Sequence, residues 1–299
     1  MLSEDVLEKY HCAGNIAAKV REEMRKITKE GMPIIEVCEK TEELIRKFGG
    51  KPAFPCNVSV NEIAAHYTSP PNDKKVVPEG SLVKIDIGVH VDGYIADTAV
   101  TVCYNPEYES MVRSAEEALE RAIKIMRPGL SISHLGSEIQ KVIQSHGFKP
   151  VSNLTGHQIG RYTIHTGKSL PNVAHSSINK IQAGEVCAIE PFVTLREAKG
   201  VVENSPESYI FRFIKSKSVK EAEVKQLMRF IETNFKTLPF AERWLKNYGP
   251  FQQYKNGFAH LLSIRCLMAY PVFVEVSRKP VAQAEHTVYI DKEKAIVLT

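Results

Sequence analysis

Two stretches of this chain carry the same punctuation twice. Gly31, Ile34, Ile45 and Gly49 recur 98 residues later as Gly129, Ile132, Ile143 and Gly147; Gly80, Ile85 and Asp86 recur 104 residues later as Gly184, Ile189 and Glu190. Further on, Ala96-Asp97-Thr98-Ala99-Val100 resembles Ala284-Glu285-His286-Thr287-Val288. Glycines that follow helical periodicity are stops, and Asp92-Gly93 between two β-rich runs is a hairpin turn. The spacing predicts helices over 3–28, 34–48, 106–126 and 131–146, and strands over 81–91 and 94–103. The expected architecture is therefore α+β, two pseudo-symmetric helix–helix–strand–strand halves. The halves differ in one respect. Asp86 and Asp97 are 11 residues apart, whereas Glu190 and Glu285 are 95 apart. The excess reads as helices over 219–235, 239–246 and 257–268, a mainly helical subdomain that shapes a pocket or docks a partner.

Each strand of the repeat carries an acid where a core strand should carry none. A carboxylate among Ile and Val is costly to bury unless something positive compensates it. Asp86 and Asp97 sit on the two arms of one hairpin, where an opposed pairing needs a bulge or a stagger. Glu190 and Glu285 repeat them, and His157 lies between the halves in LTGHQIG. Four carboxylates carry four negative charges, which one divalent ion would leave under-compensated and two would neutralise. Oxygen donors with one imidazole suit hard or borderline dications, and a two-ion site with bridging carboxylates suits hydrolysis of a carbonyl bond. Most of the other histidines read as ordinary core or surface residues. His66 and His165 stand apart because each lies in an irregular, Gly- or Pro-containing segment near the charged strands, where site residues concentrate.

The remaining composition excludes more than it suggests. Thirty-nine basic against 35 acidic residues give a net charge of +4, too mild to argue for nucleic acid. Six scattered cysteines form no CxxC pair, so neither a zinc ribbon nor a disulfide framework is expected. No window approaches the ~18 apolar residues of a membrane span, and the N-terminus is charged from residue 4, unlike a signal peptide. A cytoplasmic location is expected. Thr166-Gly167-Lys168-Ser169 lacks the glycine spacing of a phosphate loop.

The order Asp86, Asp97, His157, Glu190, Glu285 resembles the ligand series of the pita-bread (creatinase/aminopeptidase) metallopeptidases. The segments AFPCNVSVNEIAAHYT (53–68), VKIDIGVHVDGYIADTA (83–99), GHQIGRYTIHTGKSLPNV (156–173), AIEPF (188–192), NFKTLPFAERWL (234–245) and AQAEHT (282–287) are similar to the signatures of the type II methionine aminopeptidases. The insertion between the last two ligands is a type II mark, and the long charged N-terminal extension of the eukaryotic enzymes is lacking, as in the short form. The resemblance implies a catalytic domain over 1–194 and 270–299, with the insertion over 195–269. It implies two divalent metal ions (Co, Mn, Fe or Zn): Asp86 on one, Asp97 and Glu285 bridging both, His157 and Glu190 completing the other. It makes His66 and His165 catalytic and substrate-binding, the first near the scissile amide and the second on the substrate carbonyl. Phe54, Ile164 and Tyr270 then line the pocket for a methionine side chain. The implied substrate is the N-terminal Met of nascent polypeptides, with a small uncharged second residue. The ribosome is a candidate partner, no membrane or specific nucleic acid is expected, and the family suggests a monomer. The alternatives are an Xaa-Pro-directed peptidase on the same fold and a non-catalytic ribosome- or RNA-binding relative.

Overall fold

A computed structural model describes residues 2–299. Helix α1 (Glu4–Ile27) opens with Glu4 and Asp5 and closes with Arg25 and Lys26, charges that complement the helix dipole. Its buried stripe, including Ala13, Ala17, Val20 and Met24, packs with α2 (Ile34–Lys47) on the strand pair Leu82–Val91 and Tyr94–Cys103. In the second half α3 (Glu109–Ile125) and α4 (Ile132–Ser145) cover strands Val186–Ile189 and His286–Ile290 in the same manner. The α+β reading is borne out, and the strands of each half carry the candidate ligands.

The repeat extends to individual hydrogen bonds. Gly31 N donates to Val77 O and Gly129 N to Ile181 O, both at 2.8 Å; Ile34 N to Lys75 O is matched by Ile132 N to Asn179 O. The dipeptide Lys51-Pro52 pairs with His90 and Val89, and Lys149-Pro150 pairs with Thr194 and Val193. Gly31 and Gly129 hold φ of 76° and 84°, and Gly49 and Gly147 hold 91° and 83°, a region open to glycine at little cost. The spacing of these glycines was legible because backbone geometry allows few other residues there. An isolated bridge, Ala99 against Glu285, joins the acid-bearing segments of the two halves.

The insertion is less helical than its sequence suggests. Helices α5 (Ala222–Phe235) and α6 (Phe251–Ser263) are present. Around them runs a long antiparallel pair, Val202–Phe213 with Leu267–Glu275, and residues 239–246 form a short strand and a 3-10 turn instead of a helix. The boundary expected at 269/270 falls inside Leu267–Glu275, whose far end pairs with Ile63–Ala65 of the first half. The insertion has its own core, with Phe211, Leu227, Ile231, Phe240 and Leu261 among its members. No helix among the described residues is long and apolar enough to cross a membrane.

Candidate metal centre

The acid hairpin pairs in regular register, Asp86 opposite Ala99 and Gly88 opposite Asp97. Side chains two apart on a strand share a face, so the two carboxylates project together, offset by two register positions. The stagger needs no bulge. Gly88 is required beside them: a Cβ there would lie 2.2 Å from Cε1 of Phe54, whose ring crosses the hairpin on the ligand face.

The second half meets this face from the opposite side. His157 is central in strand Thr155–Ile159 and pairs with Ala188, so that Glu190 follows just beyond. Glu285 immediately precedes the strand His286–Ile290. His157 Nε2 lies 3.6 Å from Asp97 Oδ2 and 3.4 Å from Glu190 Oε1. Asp97, His157 and Glu285 each offer a ligand atom within 4.8 Å of the others. Gln283 Nε2 donates to Glu285 Oε2 at 3.1 Å and orients it.

All five residues line one pocket of ≈ 70 Å³ together with His66, His165, Phe54, Ile164 and Tyr270. Every residue singled out from the sequence is thus brought together. Asn57, Ala65, Ile210 and Pro239 also line it and were missed. Asn57 is the register partner of Asp86, but a neutral amide in a Pro- and Asn-rich segment gives no energetic warning in the sequence. Pro239 and Ile210 reach the pocket only through the fold of the insertion.

The electrostatics of the site favour positive charge. Burial first, and then the neighbouring carboxylates, push Asp97 and Glu285 well above the usual carboxylate range. Burial and then Asp86 do the same to Glu190, and burial lifts Asp86 to about 7. Burial lowers His157 to about 3 and His66 to about 4, so both rings are neutral. Among the described residues, Asp86 Oδ1, Asp97 Oδ1 and Asn57 Oδ1 are buried with no protein donor. Buried acceptors normally find partners. An acceptor-rich, donor-poor nest of oxygens with one imidazole nitrogen fits divalent cations and fits a thiolate-type zinc site poorly.

His66 and His165 flank this nest. His66 adopts φ of +66°, a conformation that costs free energy for a non-glycine residue and that concentrates at working sites. Its Nδ1 lies 3.3 Å from Pro271 O. A carbonyl only accepts, so Nδ1 carries the proton and Nε2 is left as an acceptor. The His165 ring meets that of His157 edge-on at 4.3 Å, and burial, then Arg212, lowers its pKa. The loop bearing Ile164 and His165 is clasped from two sides: Tyr162 N donates to Gly93 O at 2.7 Å, and Thr237 Oγ1 donates to Tyr162 O.

A model of metallopeptidase family M24 matches residues 8–235. The chain belongs to metallopeptidase family M24. As an M24 metallopeptidase with the pita-bread fold, it works with divalent metal ions. Over 297 residues it is 42% identical to a methionine aminopeptidase of Methanothermobacter thermautotrophicus, covering 98% of this chain and 99% of that one. Identity to a methionine aminopeptidase of Pyrococcus horikoshii is 44% over 288 residues, 96% and 97% of the two chains. Among solved structures, the methionine aminopeptidase of Thermotoga maritima superposes with a TM-score of 0.70 at 25% identity, covering 100% of this M24 chain and 98% of that one. A thermophilic Arx1 superposes at 0.82 with 20% identity over 100% and 91% of the chains. For the prolidase of Pyrococcus furiosus the TM-score is 0.62 at 19% identity, over 99% of this chain but 64% of that one. These last two likenesses are of fold alone.

Proposed function

We infer that this chain is a methionine aminopeptidase, which hydrolyses the first peptide bond of nascent proteins and releases their N-terminal methionine. One observation carries the reading. The pocket that gathers the four acids and His157 is lined also by Phe54, Ile164 and Tyr270, so acidic and apolar groups share one cavity. That suits a substrate with an ammonium group and an unbranched apolar side chain, and its near-full-length relatives are methionine aminopeptidases. The finer reading is a monomer that works in the cytoplasm on chains leaving the ribosome and prefers a small, uncharged second residue.

In this reading Asp86, Asp97, His157, Glu190 and Glu285 would together hold a pair of dications, the four carboxylates supplying the balancing charge. When bound, such ions supply Lewis acidity at the scissile carbonyl and a nucleophilic oxygen at neutral pH. The chain's own groups do the rest. Phe54, Ile164 and Tyr270 hold the methionine side chain and exclude water from around it. His66, with its proton on Nδ1, offers Nε2 to the scissile N–H. His165, kept neutral by burial and by Arg212, donates to the substrate carbonyl oxygen as negative charge develops there, in the manner of an oxyanion donor.

The test is hydrolysis of Met-Ala-Ser against Ala-Pro and Met-Pro peptides by metal-loaded protein, across Mn, Fe, Co and Zn. Release of methionine from the first peptide alone is expected. Cleavage restricted to the Xaa-Pro peptides would replace this reading with the prolidase one, and inactivity with every metal would favour a non-catalytic relative.

A further inference from the structure

Arg21 lies on α1, a helix whose charged residues its periodicity directs outward. Its side chain is nevertheless only 13% exposed and runs inward to the strands behind the metal centre. Nη1 reaches Thr98 Oγ1 at 2.6 Å and His286 Nδ1 at 3.1 Å. Thr98 follows Asp97 and His286 follows Glu285, so one guanidinium grips the residue after each of the two acids that face each other across the seam.

The donor logic fixes the direction of these bonds. A guanidinium can only donate. Thr98 Oγ1 therefore accepts from Arg21, and its own proton goes to Glu285 O at 2.7 Å. His286 Nδ1 must be the unprotonated ring nitrogen. On the other strand Thr287 Oγ1 accepts from Asp97 N and donates to Asp97 O, both at 2.7 Å. These side-chain bonds are short, whereas the backbone bonds joining the halves here, Ala99 N to Glu285 O and Glu285 N to Ala99 O, are 3.4 and 3.3 Å. The reverse side of Glu285 opens on a cleft of ≈ 200 Å³ that Arg21 also borders. The guanidinium therefore borders the same cleft as this ligand and reaches it through the residue that follows.

We propose that Arg21 is a positioning residue for the metal centre: acting through Thr98 and His286, it sets the separation of Asp97 and Glu285 from behind. It touches neither ion nor substrate. The proposal rests on Asp97 and Glu285 being metal ligands, and is independent of which peptide is cleaved.

The experiment is calorimetric titration of chelator-treated full-length protein with Mn²⁺, alongside thermal melts, for wild type, Arg21→Met, Arg21→Lys, Thr98→Val and the Arg21→Met/Thr98→Val double variant. Residues that orient metal ligands typically contribute about 10–100-fold to affinity. Arg21→Met and Thr98→Val should each weaken Mn²⁺ binding by about that factor, the double variant should be no weaker than the worse single one, and Arg21→Lys should recover part of the loss. Val20→Ala, a core truncation one residue away, serves as the control: it should lower Tm while keeping the wild-type Mn²⁺ affinity. Should Arg21→Met fail to fold, Thr98→Val, which keeps the side chain's shape, decides alone. Wild-type affinity in Thr98→Val, additive losses in the double variant, or an equal loss in Val20→Ala would each overturn the proposal. A wild-type chain that binds no Mn²⁺ would overturn it together with the metal-centre reading, and is told apart because wild type itself fails.

Discussion

A carboxylate buried beside three others can remain acidic, take up a proton or bind a cation, and the five side chains of this centre make that choice measurable. Asp86 ordinarily titrates near 3.8 and is held at about 7 in the metal-free fold. For a group whose folded-state pKa is raised, the stabilisation is complete below the unfolded value and is lost as pH rises through the folded one. Metal-free protein should therefore lose thermal stability between pH 4 and 7, checked by melts in EDTA across that range. Dications require the deprotonated form, so their affinity should rise over the same interval. Binding at pH 6 should release protons, seen as calorimetric heats that vary with the buffer's ionisation enthalpy. Glu285→Gln or Asp97→Asn should abolish turnover and weaken metal binding. His165→Ala should lower kcat by about 10²–10³-fold, as for loss of an oxyanion donor, with metal content unchanged by elemental analysis. The acids were legible because a charge in an apolar strand breaks a pattern. Arg21 was not, since a long side chain on an amphipathic helix turns inward only when the tertiary neighbours call for it.

Among the elements, the Asp92-Gly93 turn does more than reverse the chain. A Cβ on Gly93 would lie 2.3 Å from the Tyr162 ring, and Tyr162 is three residues before His165. Asp92, Tyr162 and Lys236, which meet here, all hold positive φ near 50°, and Lys236 Nζ stands 4.1 Å from the Tyr162 ring centroid. Gly93→Ala should displace the Tyr162 loop and lower kcat/KM by about tenfold or more, the effect of small misplacements near a reacting centre. Metal binding should stay near wild-type strength, because the clash falls on the Tyr162 ring whereas Asp86 and Asp97 are held by the paired strands on either side of the turn; steady-state kinetics with parallel Mn²⁺ titration checks both. The helices of the two halves and the acid hairpin follow closely from periodicity and turn chemistry. Strand Val202–Phe213 does not. Its sequence, VENSPESYIFRF, lacks alternation and contains a proline, and its partner lies more than fifty residues on, so non-local pairing decides it.

At the scale of the whole molecule, the insertion is bound to the first half by a buried ion pair. Arg243 meets Glu42, Trp244 Nε1 donates to the other Glu42 oxygen at 2.7 Å, and Cys56 N donates to the first. Removing one partner of such a pair leaves an uncompensated buried charge, at a cost of about 3–5 kcal/mol. Arg243→Met should lower stability by that order in urea denaturation, and it should also blur the pocket wall at Pro239, raising KM for methionyl peptides. The pairing was not visible in the sequence: Arg243 lies in a segment similar to a family signature, but nothing there points to Glu42, far away in the chain.

The seam at Ala99 and Glu285 has a consequence in time. Ribosomes deliver Asp86 and Asp97 early, on a hairpin that can close at once, while Glu285 emerges 188 residues after Asp97, roughly 10–40 s later at ordinary elongation speeds. Until then the centre lacks Glu285, the last of its five ligands in chain order. Order of synthesis and order of assembly thus coincide: the seam closes only when the segment before His286–Ile290 has been made.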